Sequence, residues 1–198
     1  MQDYDIKLII NRLIEGVQCN GISDTALLKA CVELDLKNSF CKFQNGIYSA
    51  LEYMEKDLIH SVEIDLQNFD LENMAVRERV KLAMKLHLAN YAKLPNYREF
   101  LKNLFLFAML PKNTYFSNKL LYRIVSSIWY AIYDQSTDFN YYTKRVILAG
   151  VYLSTTFFFI NDYSDDFTDT LLFLDKRIDN VMTFQQIKSY VMKNIFKV

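Results

Sequence analysis

Residues 129–161 read W-Y-A-I-Y-D-Q-S-T-D-F-N-Y-Y-T-K-R-V-I-L-A-G-V-Y-L-S-T-T-F-F-F-I-N. Between Arg145 and Asp162 stand 16 uncharged residues, Val146 to Asn161. A membrane-spanning helix needs about 20 apolar residues. This run is shorter and contains Ser154, Thr155 and Thr156, so it predicts a helix buried in a protein core. The polar break Asp134 to Phe139 precedes it. Asn140 is a suitable N-cap, and the helix is expected to run from there to Ile160.

Working outward, the apolar period is helical almost everywhere. Ile6, Ile9, Ile10, Leu13 and Val17 recur at i, i+3, i+4 and i+7, predicting a first helix over Asp3–Cys19 that Gly21 ends. Ser23 caps a second, Asp24–Leu34. A short third is expected at Ser39–Phe43, before the Asn45-Gly46 break. The fourth carries Ala50, Leu51, Met54, Leu58 and Val62. The fifth carries Val76, Val80, Ala83, Met84, His87 and Tyr91. Pro95 separates it from a sixth, Asn96–Met109, and Pro111 stops that one. Asn113 or Thr114 caps a seventh that reaches about Tyr133. Beyond the helix already described, a ninth is expected over Asp166–Met182 and a last short one over Phe184–Phe196. No segment alternates with period two, so the expected fold is an all-α bundle of about nine or ten helices. Its expected parts are 1–46 (helix-turn-helix-like), 47–182 (the main helical domain) and 183–198 (a basic amphipathic helix).

The composition agrees. The chain has 198 residues, 52% of them hydrophobic, with 23 basic and 23 acidic side chains and only four glycines. Such a chain is too apolar for intrinsic disorder and too neutral for a strongly basic nucleic-acid binder. Four glycines argue against a turn-rich β-sandwich or a Gly-rich phosphate loop. Cys19, Cys31 and Cys41 are odd in number with no C-x-x-C spacing, which predicts free thiols in a reducing compartment. The acidic start Met-Gln-Asp-Tyr-Asp has neither the apolar core of a secretory signal nor the arginines of a transit peptide. A bacterial cytoplasmic source is therefore expected, although a processed mitochondrial form would read the same.

Charge is unevenly spread. Residues 51–100 are acidic, whereas Lys102, Lys112, Lys119 and Arg123 stand without an acid between Glu99 and Asp134. Lys188, Lys193 and Lys197 lie beside Ile187, Val191 and Ile195. That pattern suits a helix lying on an anionic membrane, or an ordinary terminal helix with a solvated lysine face.

Catalytic motifs are missing. The chain has no G-x-G-x-x-G and no G-x-S-x-G. A helical di-iron site needs two Glu-x-x-His pairs. Met84 stands three residues before His87, and Asp57-x-x-His60 is alone, so no metal site, cofactor or catalytic residue is expected. His87, on an apolar stripe, reads as a core histidine. The first fifty residues have the helix rhythm of a TetR-type DNA-binding end. With six acids against five bases there, DNA binding is disfavoured. A ligand-responsive repressor of that type remains the alternative reading.

Trp129 to Arg145, continued by V-I-L-A-G-V-Y-L-S-T-T to Thr156, then Asp162, Ser164, Asp165-Asp166-Phe167 and Phe173-Leu174-x-x-Arg177-Ile178, resembles the ninth coenzyme Q biosynthesis protein family. Val76-Arg77-x-Arg79-Val80 and Leu110-Pro111-x-Asn113 also match. The resemblance covers about residues 75–182. Two positions depart from the family pattern: Tyr133 stands where members carry Gly, and Tyr141-Tyr142 where they carry Trp-Tyr.

The resemblance implies a TetR-like fold and a non-enzymatic, homodimeric role at the face of the inner membrane (the matrix face in mitochondria). Members bind isoprenoid lipids or quinone intermediates and dock on the di-iron demethoxyubiquinone hydroxylase. Carried onto this chain, the docking positions are Ile128, Trp129, Asp134, Tyr141 and Tyr142. A polyprenyl tail needs an apolar cavity. Leu104, Phe105, Met109, Ile124, Ile128, Tyr152, Phe158, Phe159, Leu171 and Leu174 are the expected lining, although most would serve equally as plain core. Lys188, Lys193 and Lys197 are the expected membrane contacts.

Overall fold

A computed structural model describes residues 2–133 and 138–180, and among them every regular element is helical. The helices are α1 (Gln2–Glu15), α2 (Val17–Asn20), α3 (Asp24–Glu33), α4 (Ile47–Leu66), α5 (Val76–Ala92), α6 (Tyr97–Met109), α7 (Thr114–Ala131) and α8 (Asp138–Ile160). A further helix, α9, occupies 168–180. The all-α expectation holds, with small shifts at the ends. Gly16 divides the expected first helix in two, and the expected third is a 3-10 turn, Lys37–Lys42. Asp134 and the terminal helix with Lys188, Lys193 and Lys197 lie outside the described residues.

Local chemistry sets the boundaries. Ser23 Oγ accepts from the Ala26 N–H at 3.1 Å, as its capping role requires. Gly46, at φ +55°, leaves room that a Cβ would deny, since one there would sit 2.1 Å from Asp24 Oδ1. That oxygen accepts from the Ile47 N–H at 2.7 Å, so the first residue of α3 caps α4. Asn113 does not cap α7 with its side chain. It is fully buried, accepts from the Tyr48 hydroxyl at 2.7 Å and donates to the Phe107 carbonyl at 2.8 Å. It thereby pins the α6–α7 turn to α4.

In the bundle α4 packs on α5 and α7, and α7 on α8. Length and composition alone would let Tyr141–Ile160 cross a membrane. Its Leu148, Val151, Tyr152, Thr155, Phe159 and Ile160 are nevertheless buried, as in a core helix. Its other side presents Val146, Leu153 and Phe157 outward. Ion pairs Lys81–Asp175 (2.9 Å) and Arg77–Asp179 fasten α9 to α5.

Tyr133, just past α7, has φ +61°. A side chain in this left-handed region is strained, and glycine is the usual residue after a helix end. Tyr133→Gly is expected to raise stability by about 1 kcal/mol, the strain relief exceeding the entropic cost of glycine. An unchanged or lower midpoint in chemical denaturation would show that the tyrosine contributes more through contacts than its backbone loses.

Candidate functional site

Four helices leave a space between them that their side chains do not fill. α4 contributes Leu51, Met54 and Glu55; α6 contributes Leu101, Leu104, Phe105 and Ala108. α7 adds Leu120, Leu121 and Ile124; α8 adds Tyr152, Leu153 and Thr156; Tyr91 reaches in from α5. The cavity measures about 100 Å³. Its inner wall (Leu51, Glu55, Tyr91, Leu101, Tyr152, Thr156) is buried. Its outer wall holds half-buried Leu104, Phe105 and Leu121 and exposed Leu153. The Phe105 ring meets the exposed Phe157 edge-on, so the cavity adjoins an outward apolar strip. Leu106, Met109 and Leu110 extend that strip along the end of α6.

Apart from half-buried Ser117 on α7, the polar groups gather on the inner wall. Arg123 donates Nε to Glu55 Oε1 at 3.2 Å and Nη2 to Oε2. It also reaches Glu52, which pairs with Lys119. Burial holds the Glu55 carboxyl above its ordinary value, although Arg123 pulls the other way. Burial likewise pushes Tyr91 up to about 12 and Tyr152 well above its ordinary value, so both stay protonated. The Tyr152 hydroxyl lies 3.4 Å from His87 Nδ1. Burial lowers His87 to about 4, making it a neutral core residue near pH 7. The Thr156 hydroxyl is buried beside that of Tyr152.

The expected lipid residues divide. Leu104, Phe105, Ile124 and Tyr152 line the cavity. Met109 is 77% exposed. Phe159 is packed against Tyr97 and Phe167, and Phe158 stacks on Phe173. Ile128 and Leu174 are deep in the core, and Leu171 is half-buried. The four that converge come from α6, α7 and α8.

The expected docking residues divide too. Ile128 and Trp129 are buried and present no surface, while Tyr142 is 64% exposed. Tyr141 is half-buried, its hydroxyl 2.7 Å from that of Tyr130 and its ring beneath the Arg145 guanidinium at 3.3 Å. It is a bracing residue, whereas Tyr142 is free to meet a partner.

Glu55, Arg123 and Thr156 were not anticipated. A signal did exist, for Glu55 falls on the same stripe as Leu51, Met54, Leu58 and Val62. Among the described residues, no group of His, Cys, Asp and Glu is placed to hold a metal ion. Asp57 instead pairs with Lys7 at 2.7 Å.

Residues 115–185 match the COQ9 family. Over 202 aligned positions the chain is 29% identical to the probable ubiquinone biosynthesis protein coq9, mitochondrial, of Dictyostelium discoideum, covering 98% of this chain and 64% of that one. Over 85 positions it is 46% identical to the ubiquinone biosynthesis protein COQ9, mitochondrial, of Rattus norvegicus, covering 41% of this chain and 27% of the relative. The Homo sapiens protein of the same name is 44% identical over 85 positions, with the same coverage. The chain thus spans less than two thirds of the length of each of these relatives.

Proposed function

We propose that this chain, a member of the COQ9 family through residues 115–185, serves ubiquinone biosynthesis in mitochondria as a lipid-binding accessory protein rather than as an enzyme. It binds an isoprenoid quinone intermediate and presents it to the di-iron demethoxyubiquinone hydroxylase. The observation that supports this reading best is the apolar cavity opening beside the exposed strip of Leu153, Phe157, Leu106 and Met109. Apolar side chains exposed together on a soluble face mark a lipid or partner surface. A cavity of about 100 Å³ is well below the roughly 300–1,000 Å³ of pockets that enclose whole ligands. Only part of a lipid therefore enters, and the rest of the tail lies along the strip or in the membrane beneath it.

Native mass spectrometry of the protein purified with its lipids tests this. The wild type is expected to carry an isoprenoid. Ala108→Phe, which fills the cavity from α6, is expected to lose it while melting at or above the wild-type temperature. Equal lipid content in both proteins would move the site elsewhere. Tyr142→Ala is expected to weaken hydroxylase capture at least severalfold with lipid content and stability unchanged. Undiminished capture would remove Tyr142 from the docking surface. Tyr141→Ala is the poorer probe, because it also breaks the contacts with Tyr130 and Arg145.

A further inference from the structure

The corner where α6 turns into α7 carries apolar side chains on its outside. Leu106, Met109 and Leu110 recur at i, i+3 and i+4, and all three are exposed. Tyr115, in the first turn of α7, is 84% exposed, and exposed Lys112 stands between them in sequence. The corner is held in this shape from behind. Asn113 is fully buried and bonded to the Tyr48 hydroxyl and the Phe107 carbonyl. The Tyr48, Phe107 and Phe116 rings pack tilted or edge-on, with centroids 4.8–6.4 Å apart. Pro111 fixes a further backbone dihedral. A stiff projection that keeps aliphatic groups in water marks a contact surface. We propose that this corner inserts into the surface of an anionic bilayer, with Leu106, Met109 and Leu110 below the headgroups and Lys112 and Tyr115 at their level. The proposal rests on the lipid-binding reading above and assigns the contact that brings the cavity mouth to the bilayer.

Three observations favour a lipid surface over other occupants. The first is charge. Residues 100–133 hold Lys102, Lys112, Lys119 and Arg123 and no acid, so Lys112 has no acidic neighbour in sequence. Glu52 on α4 is held by Lys119 and Arg123, and Glu99 by Lys102. Each lysine near an anionic surface adds to the attraction. The second is side-chain class. The tip is aliphatic, and its collar is a tyrosine and a lysine, which suit the headgroup level because each joins an apolar body to a polar end. Leucine, by contrast, is under-represented among the residues that anchor protein interfaces. The third is continuity. Ala108 and Ser117, on either side of the corner, both line the cavity. Leu153 at its outer wall and exposed Phe157 carry the apolar surface onward. A corner seated about 5–10 Å into the headgroup and acyl boundary sets the cavity mouth where a lipid tail enters without crossing water.

The test uses the full chain with vesicles of phosphatidylcholine, alone or mixed equally with phosphatidylglycerol. Binding is read by co-flotation. Insertion is read by quenching of Met109→Trp fluorescence with lipids brominated on the acyl chain; Trp129 is buried, so the wild type supplies the background. Met109→Trp is expected to be quenched well above that background on the mixed vesicles. Leu106→Gln with Met109→Gln, both at exposed positions, is expected to lower affinity at least tenfold at an unchanged melting temperature. Lys112→Gln is expected to lower it about fivefold on the mixed vesicles and hardly at all on phosphatidylcholine. Changing Lys188, Lys193 and Lys197 to Gln removes the charge of the terminal segment, and bound Met109→Trp is expected to be quenched equally in that background. The proposal is overturned if the wild type does not bind the mixed vesicles, if bound Met109→Trp is quenched no more than the wild type, or if the folded Leu106→Gln, Met109→Gln variant keeps full affinity. Should that variant keep vesicle binding but lose hydroxylase capture, or change its oligomeric state, the corner is a protein interface and the proposal fails. An isoprenoid that co-purifies with a wild type that does not insert leaves the lipid-binding reading standing; absence of both sinks the two together.

Discussion

Arg123→Met is expected to lower stability by about 3 kcal/mol at neutral pH, the low end of what breaking a buried ion pair costs. The partners differ in exposure: the Glu55 side chain is 4% accessible and that of Arg123 29%. Removing the arginine strands a carboxylate that water does not reach, on a wall shared with Leu51, Leu101, Tyr91, Tyr152 and Thr156. Glu52 loses less, because it keeps Lys119 at 3.3 Å. The double change Glu55→Leu with Arg123→Met removes both charges and is expected to recover most of the loss, since apolar residues often replace buried pairs at little cost.

The deficit depends on pH in a definite direction. Burial raises the folded Glu55 carboxyl above its ordinary 4.5, and it would rise further without Arg123. Ionising it therefore costs stability as pH climbs from 4.5 through the raised value, and this cost vanishes below 4.5. The Arg123→Met deficit is expected to be full at neutral pH and to shrink on acidification through that window. Urea denaturation at pH 7 and pH 5 measures it. A loss under about 0.5 kcal/mol, or one identical at both pH values, would mean that solvent reaches Glu55.

These residues show what the sequence conveys and what it withholds. The helix after Arg145 was legible from its 16 uncharged residues with three hydroxyls among them, although burial of one face, not length, is what marks it as a core helix. Ser23 and Gly46 were legible because caps and left-handed turns admit few residue types. Glu55 was passed over because a glutamate is ordinarily assigned to a solvated face, even when spacing puts it on the apolar one. Its partner is 68 residues away on another helix, a separation that no local pattern reports. Apolar identity also misled. Phe157, Phe158 and Phe159 are adjacent and alike, but at about 100° per residue the buried Phe159 faces away from both Phe158 and the exposed Phe157. Which of them faces a cavity depends on how α6, α8 and α9 pack, and that emerges only in three dimensions.

Asp162→Ala is expected to cost about 3 kcal/mol, combining a lost helix cap with a buried donor left unmade. Its Oδ1 accepts from the Ser164 N–H at 2.8 Å and hydroxyl at 2.6 Å, and its Oδ2 from the Thr170 N–H at 2.8 Å and hydroxyl at 2.5 Å. Thr170 is fully buried, so its freed N–H cannot turn to water. The Asp162 carbonyl also accepts from Arg98 at 2.6 Å, tying the start of α9 to α6. Loosening it would release Leu174 and Ile178 from the core and weaken the Lys81–Asp175 pair. Although burial works in the opposite sense, the Ser164 and Thr170 hydrogen bonds hold the carboxyl down at about 2, against an ordinary 3.8. The stabilisation is thus complete above pH 3.8 and is lost as pH falls toward 2. Asp162→Asn, keeping one accepting oxygen, should retain part of it. Hydrogen exchange gives the sharper readout: in Asp162→Ala the 168–180 amides should exchange faster than those of α4. Uniform acceleration across both helices would show that α9 unfolds only with the whole bundle.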